Sequence, residues 1–303
     1  MVAVAVDTSR QLYESEATGW QRGLYESVKA TFRAPIVNWI FRTTVANYPE
    51  FARYMWGQVA PVFRTEAFAD YTIAYRDAVL TAVEDTRSIP VYRCEQLPVG
   101  PAAYSQLRGQ LATFDVVGPR LAVLFALVDR SLSGGPVGST PPDDPATLAP
   151  FPDHVDRDRG IAPTMAAFDG APAELAGTVE EIEAFHDLEE GLPSIYRCLV
   201  QWPGYLETVW TDLAPVRKPG AFDPVSEAAR EAVGSFVESL AHRPRLSPDA
   251  LRSAGSDEGV IEDVSGLFGE FNGAIADTVL PVLPVYAATV GALDRSTVPD
   301  GYR

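Results

Sequence analysis

The residues able to do chemistry in this chain are few, and none forms a standard motif. Its three histidines are His154, His186 and His242. His186 lies in "EAFHDLEEG" beside Asp187, Glu189 and Glu190, groups that would hold a cation if the backbone gathered them. An acidic run of this kind ordinarily ends as a solvated helix terminus, and that is the expectation here. His154, in a Gly/Pro-rich stretch, is expected in solvent. Cys94 and Cys198 stand far apart with no CxxC, so neither reads as a metal ligand. Cys198 falls in an apolar phrase and is expected as a buried free thiol. GxSxG, HExxH, Walker A and GxGxxG patterns are absent. Asp115, Asn272 and Asp277 remain. Asp115 and Asn272 follow matching phenylalanines, Phe114 and Phe271. Each would either face a site or cap a helix or turn, the commoner use of short Asx side chains. Asp277 lies in an apolar helix and needs a partner there, for which Arg120 and Arg76 are the expected choices.

The elements that must position these groups read as helices. Val225, Ala228, Ala229, Ala232, Val233, Phe236, Val237 and Leu240 recur with helical spacing, as do Tyr71, Ala74, Tyr75, Ala78, Val79, Ala82 and Val83. Asp223-Pro224 reads as a helix start, Pro49 and Pro203 open helices, and Pro61 and Pro215 close them. No hairpin signal and no strand–helix alternation is visible, so the fold class is all-α.

The chain also repeats itself. At an offset of 154 positions, Pro49–Glu84 and Pro203–Glu238 share thirteen of 36 residues, including Trp56/Trp210, Pro61/Pro215 and Arg76/Arg230. A period this long implies duplication of a whole domain, not a solenoid. The expected layout is a helical repeat over 1–130, a linker over 131–165 and a second repeat over 166–303, the copies related by a pseudo-twofold axis. The linker, with "GGPVGS" and "PPDDP", is expected to cross the surface. Trp56, Trp210, Tyr48 and Trp202 are expected in the core.

Composition limits the partners. With 24 basic against 41 acidic residues, a net charge of −17, the surface repels phosphate backbones and excludes nucleic acid. Such a balance, with only Lys29 and Lys218 as lysines, fits a chain adapted to molar salt. The N-terminus lacks the charged and apolar regions of a signal peptide. The run Leu121–Val128 falls short of a membrane span. A cytoplasmic location and no membrane partner are therefore expected, the chain being a monomer or homodimer.

The phrases Phe41-Arg42…Pro49…Trp56 and Tyr196-Arg197…Trp202-Pro203…Trp210, the Gly/Pro linker and the total length resemble the group I 2-haloacid dehalogenases, the all-helical, non-stereospecific family. The resemblance covers the chain from about Gln21 to its last helix. It implies a pocket between two repeats and hydrolysis of small D- and L-2-halocarboxylates without metal or organic cofactor. In that family an aspartate activates a water that displaces the halide directly, and an asparagine orients the water. The aspartate's position, eight residues before Pro203, is Ile195 here, and the asparagine's is Gly118. Ser194 matches the neighbouring serine. The expected pocket residues are Trp39, Phe41, Gly118, Ser194, Ile195, Phe271 and Asn272, with Asp115 the candidate base. The alternatives are a non-catalytic protein binding a small carboxylate and a purely structural protein.

Overall fold

The computed structural model describes residues 6–138, 148–167, 170–188 and 191–293. Among them the secondary structure is helical, with one isolated bridge between Thr65 and Pro150. The helices are α1 (Gly19–Phe32), α2 (Trp39–Asn47), α3 (Pro49–Val59), α4 (Glu66–Glu84), α5 (Pro101–Ser133), α6 (Ala176–His186), α7 (Ser194–Leu199), α8 (Pro203–Asp212), α9 (Asp223–Glu238), α10 (Pro248–Ser253), α11 (Glu258–Glu270) and α12 (Leu280–Thr289). A π-helical segment, Phe271–Val279, joins α11 to α12 through a kink at Gly273 (φ −89°, ψ −111°).

The prolines act as expected. Pro49 and Pro203 stand in the first turns of α3 and α8, where a missing N–H costs nothing. Pro61 and Pro215 begin the 3-10 turns that follow. α1 and α6 both end on a left-handed residue, Arg33 (φ 53°) and Asp187 (φ 52°), 154 positions apart. The two tryptophans at that offset also behave alike. Trp56 Nε1 donates to Ser27 Oγ (2.9 Å), and Trp210 Nε1 to Glu181 Oε2 (2.8 Å). Ser27 and Glu181 are themselves 154 apart.

Two compact units are formed. The first draws on 1–72, 120–157 and 233–273, the second on 73–119, 158–232 and 274–303. Each therefore takes residues from both sides of the 131–165 stretch. The first unit is built on an aromatic cluster: Phe32 meets Phe41, Trp56 and Phe63 edge-on at 5.0–5.9 Å. Such pairs contribute about 0.5–1.5 kcal/mol each beyond their buried area. The second unit centres on Tyr196, Tyr205, Trp210 and Tyr286, all buried.

Several expectations change. In α4 the buried stripe is Phe68, Tyr71, Thr72, Tyr75, Arg76, Val79, Leu80 and Val83, whereas Ala74 is exposed. Alanine carries too little area to fix a face, and Arg76 is drawn inward by an acidic partner. The described end of the linker runs largely over the surface, as expected, with Asp153, His154, Arg157 and Asp158 exposed, but it is pinned at buried points. Phe151, Val155 and Asp156 are buried, and Arg33 Nη1 donates to the carbonyls of Pro152, Asp153 and Val155. Asp156 is held by Arg120 at 3.0 Å, so an ion pair anchors a stretch whose composition signals only a loop. Residues 139–147 of that stretch lie outside the described residues. Tyr48 is half-buried and donates its hydroxyl to Asp263 (2.7 Å). Trp56, Trp202 and Trp210 are in the core.

By length and composition α5 could cross a membrane, but its apolar window is 94% buried within the protein. A helix apolar on all sides is what a core position requires. The segment Glu258–Thr289 passes the same test with 53% of its window buried.

Candidate functional site

Asp115, proposed from sequence as a base or a cap, is neither a cap nor a free carboxylate. It sits in the middle of α5 and is fully buried. Its Oδ1 accepts from Arg76 Nε (3.0 Å) and its Oδ2 from Arg159 Nη2 (2.9 Å). Arg76 Nη2 also donates to the Asp115 carbonyl (3.3 Å). Two guanidiniums compensate the charge that burial would otherwise expel. With an arginine on each oxygen and no solvent exposure, this group is placed as an anchor.

Asp277 pairs with neither Arg120 nor Arg76. Its Oδ1 accepts from Arg230 Nε at 2.8 Å, and its backbone carbonyl accepts from Ser226. Arg120 is committed to Asp156 and Arg76 to Asp115, so the expected partners were already taken.

Ile195 is buried in the first turn of α7, and Ser194 beside it is half-buried. Gly118 lies in α5 just before Pro119. A Cβ built on it would meet Leu283 Cδ1 at 3.4 Å and Leu283 Cβ at 3.6 Å. Both positions singled out from the sequence, Ile195 and Gly118, therefore have apolar surroundings.

His186 is the largest departure. It is buried, not a solvated helix end. Its Nδ1 meets Thr278 Oγ1 (2.8 Å), and its Nε2 meets Tyr196 Oη (2.6 Å), which accepts from Tyr286 Oη at 3.3 Å. Burial lowers the imidazole pKa from 6.5 to about 3 and pushes the Tyr196 phenol well above its ordinary value. The ring is therefore neutral across the physiological range, with both nitrogens occupied. Asp187 is exposed, Glu189 and Glu190 lie outside the described residues, and no cluster able to hold a metal occurs among the described residues. Beside Tyr196 and Tyr286 is a cavity of about 20 Å³, walled by Phe185, Trp210, Phe222 and Val285. It has room for about one water.

His154 is exposed, and Cys198 is a buried free thiol 3.1 Å from Gln110 Oε1, both as expected. Burial raises the Cys198 pKa to about 12.

In the first unit, several sequence-proposed residues come together. Trp39 stacks on Phe271 (centroids 4.9 Å apart, planes at 25°), and Phe125 packs against the same ring at 5.2 Å. Asn272 Nδ2 donates to Asp129 Oδ2 at 2.8 Å. Trp39, Phe271, Asn272 and Asp129 are all half-buried. Phe41, by contrast, is deep in the aromatic cluster with Phe32 and Trp56. Asp129 was not legible from sequence. It stands in "FALVDRSL", and its significance comes from Asn272, 143 residues away.

The all-helical fold is similar to that of solved D-2-haloacid dehalogenases, and part of the sequence is similar to a dehalogenase family as well. The family model described as halocarboxylic acid dehydrogenase DehI matches residues 35–159. An (R)-2-haloacid dehalogenase from Pseudomonas putida is 25% identical over 266 residues, which is 86% of this chain and 85% of that protein. A solved structure of a D-2-haloacid dehalogenase mutant superimposes with a TM-score of 0.79 at 22% identity, covering 97% of this chain and 98% of its own. A complex of D-2-haloacid dehalogenase with L-LA gives the same TM-score at 21% identity.

Proposed function

We propose that this protein hydrolyses the carbon–halogen bond of a small 2-halocarboxylate through a directly activated water. The observation that carries this reading is the similarity to an (R)-2-haloacid dehalogenase along 86% of the chain. The reaction needs a carboxylate base within about 3 Å of a water, in a setting that excludes bulk solvent. Ile195 cannot be that base, Gly118 cannot orient the water, and Asp115 is taken by two arginines. The base therefore stands elsewhere in the chain.

One observation favours a second reading, a protein that binds a small carboxylate without turning it over. Leu283 stands beside Gly118 and Ile195 is buried, so the two positions to which the resemblance assigns a polar pair are apolar in their surroundings. Chloride release from D- and L-2-chloropropionate in sulfate medium separates the two. Hydrolysis predicts release by the wild-type chain. Saturable binding of chloropropionate with no release, and release gained by Ile195→Asp, would establish the binding protein instead.

A further inference from the structure

Asp129 is a half-buried carboxylate that makes no ion pair among the described residues. This sets it apart from Asp115, Asp156 and Asp277, each of which is held by arginine. Its Oδ2 is fixed by the Asn272 amide at 2.8 Å. Its Oδ1 faces Gly269, where even a Cβ would stand 3.6 Å away. Gly269 and Asn272, three residues apart where α11 runs into the π-helical segment, both lie beside Asp129. The neighbours of the Asp129 carboxylate are thus an amide on Oδ2 and a glycine beside Oδ1 that adds no side chain.

Apolar walls stand next to this pair. Phe125 is one turn before Asp129 on α5, and Phe271 immediately precedes Asn272. Phe125 and Phe271 touch, and Trp39 stacks on Phe271. A short carbon chain bearing a halogen would find aromatic surface there, with a carboxylate oxygen beside it.

We infer that Asp129, oriented by Asn272 beside the Trp39–Phe271 stack, is the catalytic base of the haloacid hydrolysis proposed above, on which this assignment rests. Asp129 Oδ1 takes a proton from a water whose second hydrogen is accepted by the Asn272 side-chain carbonyl. The water oxygen forms a bond to the substrate's α-carbon as the carbon–halogen bond breaks. The halide leaves with the bonding pair, the product is the 2-hydroxy acid, and the proton passes from Asp129 to solvent. The Asn272 N–H on Oδ2 keeps the carboxylate plane fixed and leaves the lone pairs of Oδ1 for the water, the geometry a general base needs.

The test is bromide release from D- and L-2-bromopropionate by the full chain, with kcat, KM, pH profile and melting temperature recorded for each variant. Asp129→Asn is expected to lower kcat by about 100-fold or more, the scale of a lost general base, with KM and melting temperature little changed. Asn272→Ala is expected to lower kcat about tenfold and to displace the acid limb of its pH profile. A merely structural contact would move neither limb. Asp129→Glu keeps the charge and is expected to recover part of the rate. That variant decides the matter if Asp129→Asn fails to fold. Wild-type release together with undiminished release by Asp129→Asn overturns the assignment and leaves the hydrolytic reading standing. No release by the wild type from either enantiomer overturns both.

Discussion

Leu283 stands against the open side of Gly118, its Cδ1 3.4 Å from where a Cβ would be. That is ordinary contact for a methyl group and leaves little room beyond it. Gly118→Ala should therefore stabilise the helix by about 0.5–1 kcal/mol through helix propensity. Gly118→Leu should lose about 1–3 kcal/mol by overpacking. Chemical denaturation of the two variants checks both signs. A stabilising leucine would mean that Leu283 yields readily and that a larger side chain fits at this position at little cost.

Arg76, Asp115 and Arg159 form a charged group at the centre of the second unit. Removing the shared carboxylate leaves two guanidiniums without it. Asp115→Ala should cost about 3–5 kcal/mol, because an uncompensated buried charge is worse than no pair at all. If the melting temperature of Asp115→Ala matched that of the wild type, the group would not be the anchor described here.

His186 gives the fold a pH limit. Its imidazole is neutral when folded, with a pKa of about 3, against 6.5 for the free group. In acid the unfolded chain therefore takes up a proton that the folded chain does not. Stability from this group is complete above about pH 6.5 and falls as the pH drops toward 3, at up to about 1.4 kcal/mol per unit. His186→Phe, which places at 186 the residue found at 32, should flatten that part of the profile. An unchanged acid limb in the variant would show that other groups set it.

The two thiols should differ sharply. Cys198 is buried, with a pKa raised to about 12, so it carries almost no thiolate near neutrality. Cys94 is only half-buried. A thiol-disulfide exchange reagent should modify Cys94 in the native protein and reach Cys198 only after unfolding. Rapid native modification of Cys198 would contradict its placement against Gln110.

Much of the architecture was legible because it is written in local chemistry. Prolines that open α3 and α8 and the 3.6-residue stripe of α9 need no knowledge of distant residues. The duplicated phrase was legible for the same reason, and its tryptophans make matching hydrogen bonds to residues at the same offset. The charged interior was not legible. Asp115 was found, but not Arg159, which meets it from 44 residues away. His186 looked solvated because its neighbours in sequence are acidic, whereas Tyr196 and Thr278 decide its burial. Asp129 gave no local signal at all, and Asn272 was singled out for its match to Asp115, whereas its hydrogen bond is to Asp129. Pairings across a fold depend on where helices meet, and side-chain periodicity carries no record of that.

The central claim is that a water, activated from outside position 195, displaces halide directly from a 2-halocarboxylate. A single turnover of D-2-chloropropionate in ¹⁸O-water, with enzyme in excess, tests it most directly. The account predicts chloride and lactate in equal amounts, with the label in the lactate hydroxyl and the configuration at the α-carbon inverted. Unlabelled lactate in the first turnover, or no chloride from either enantiomer, would contradict it.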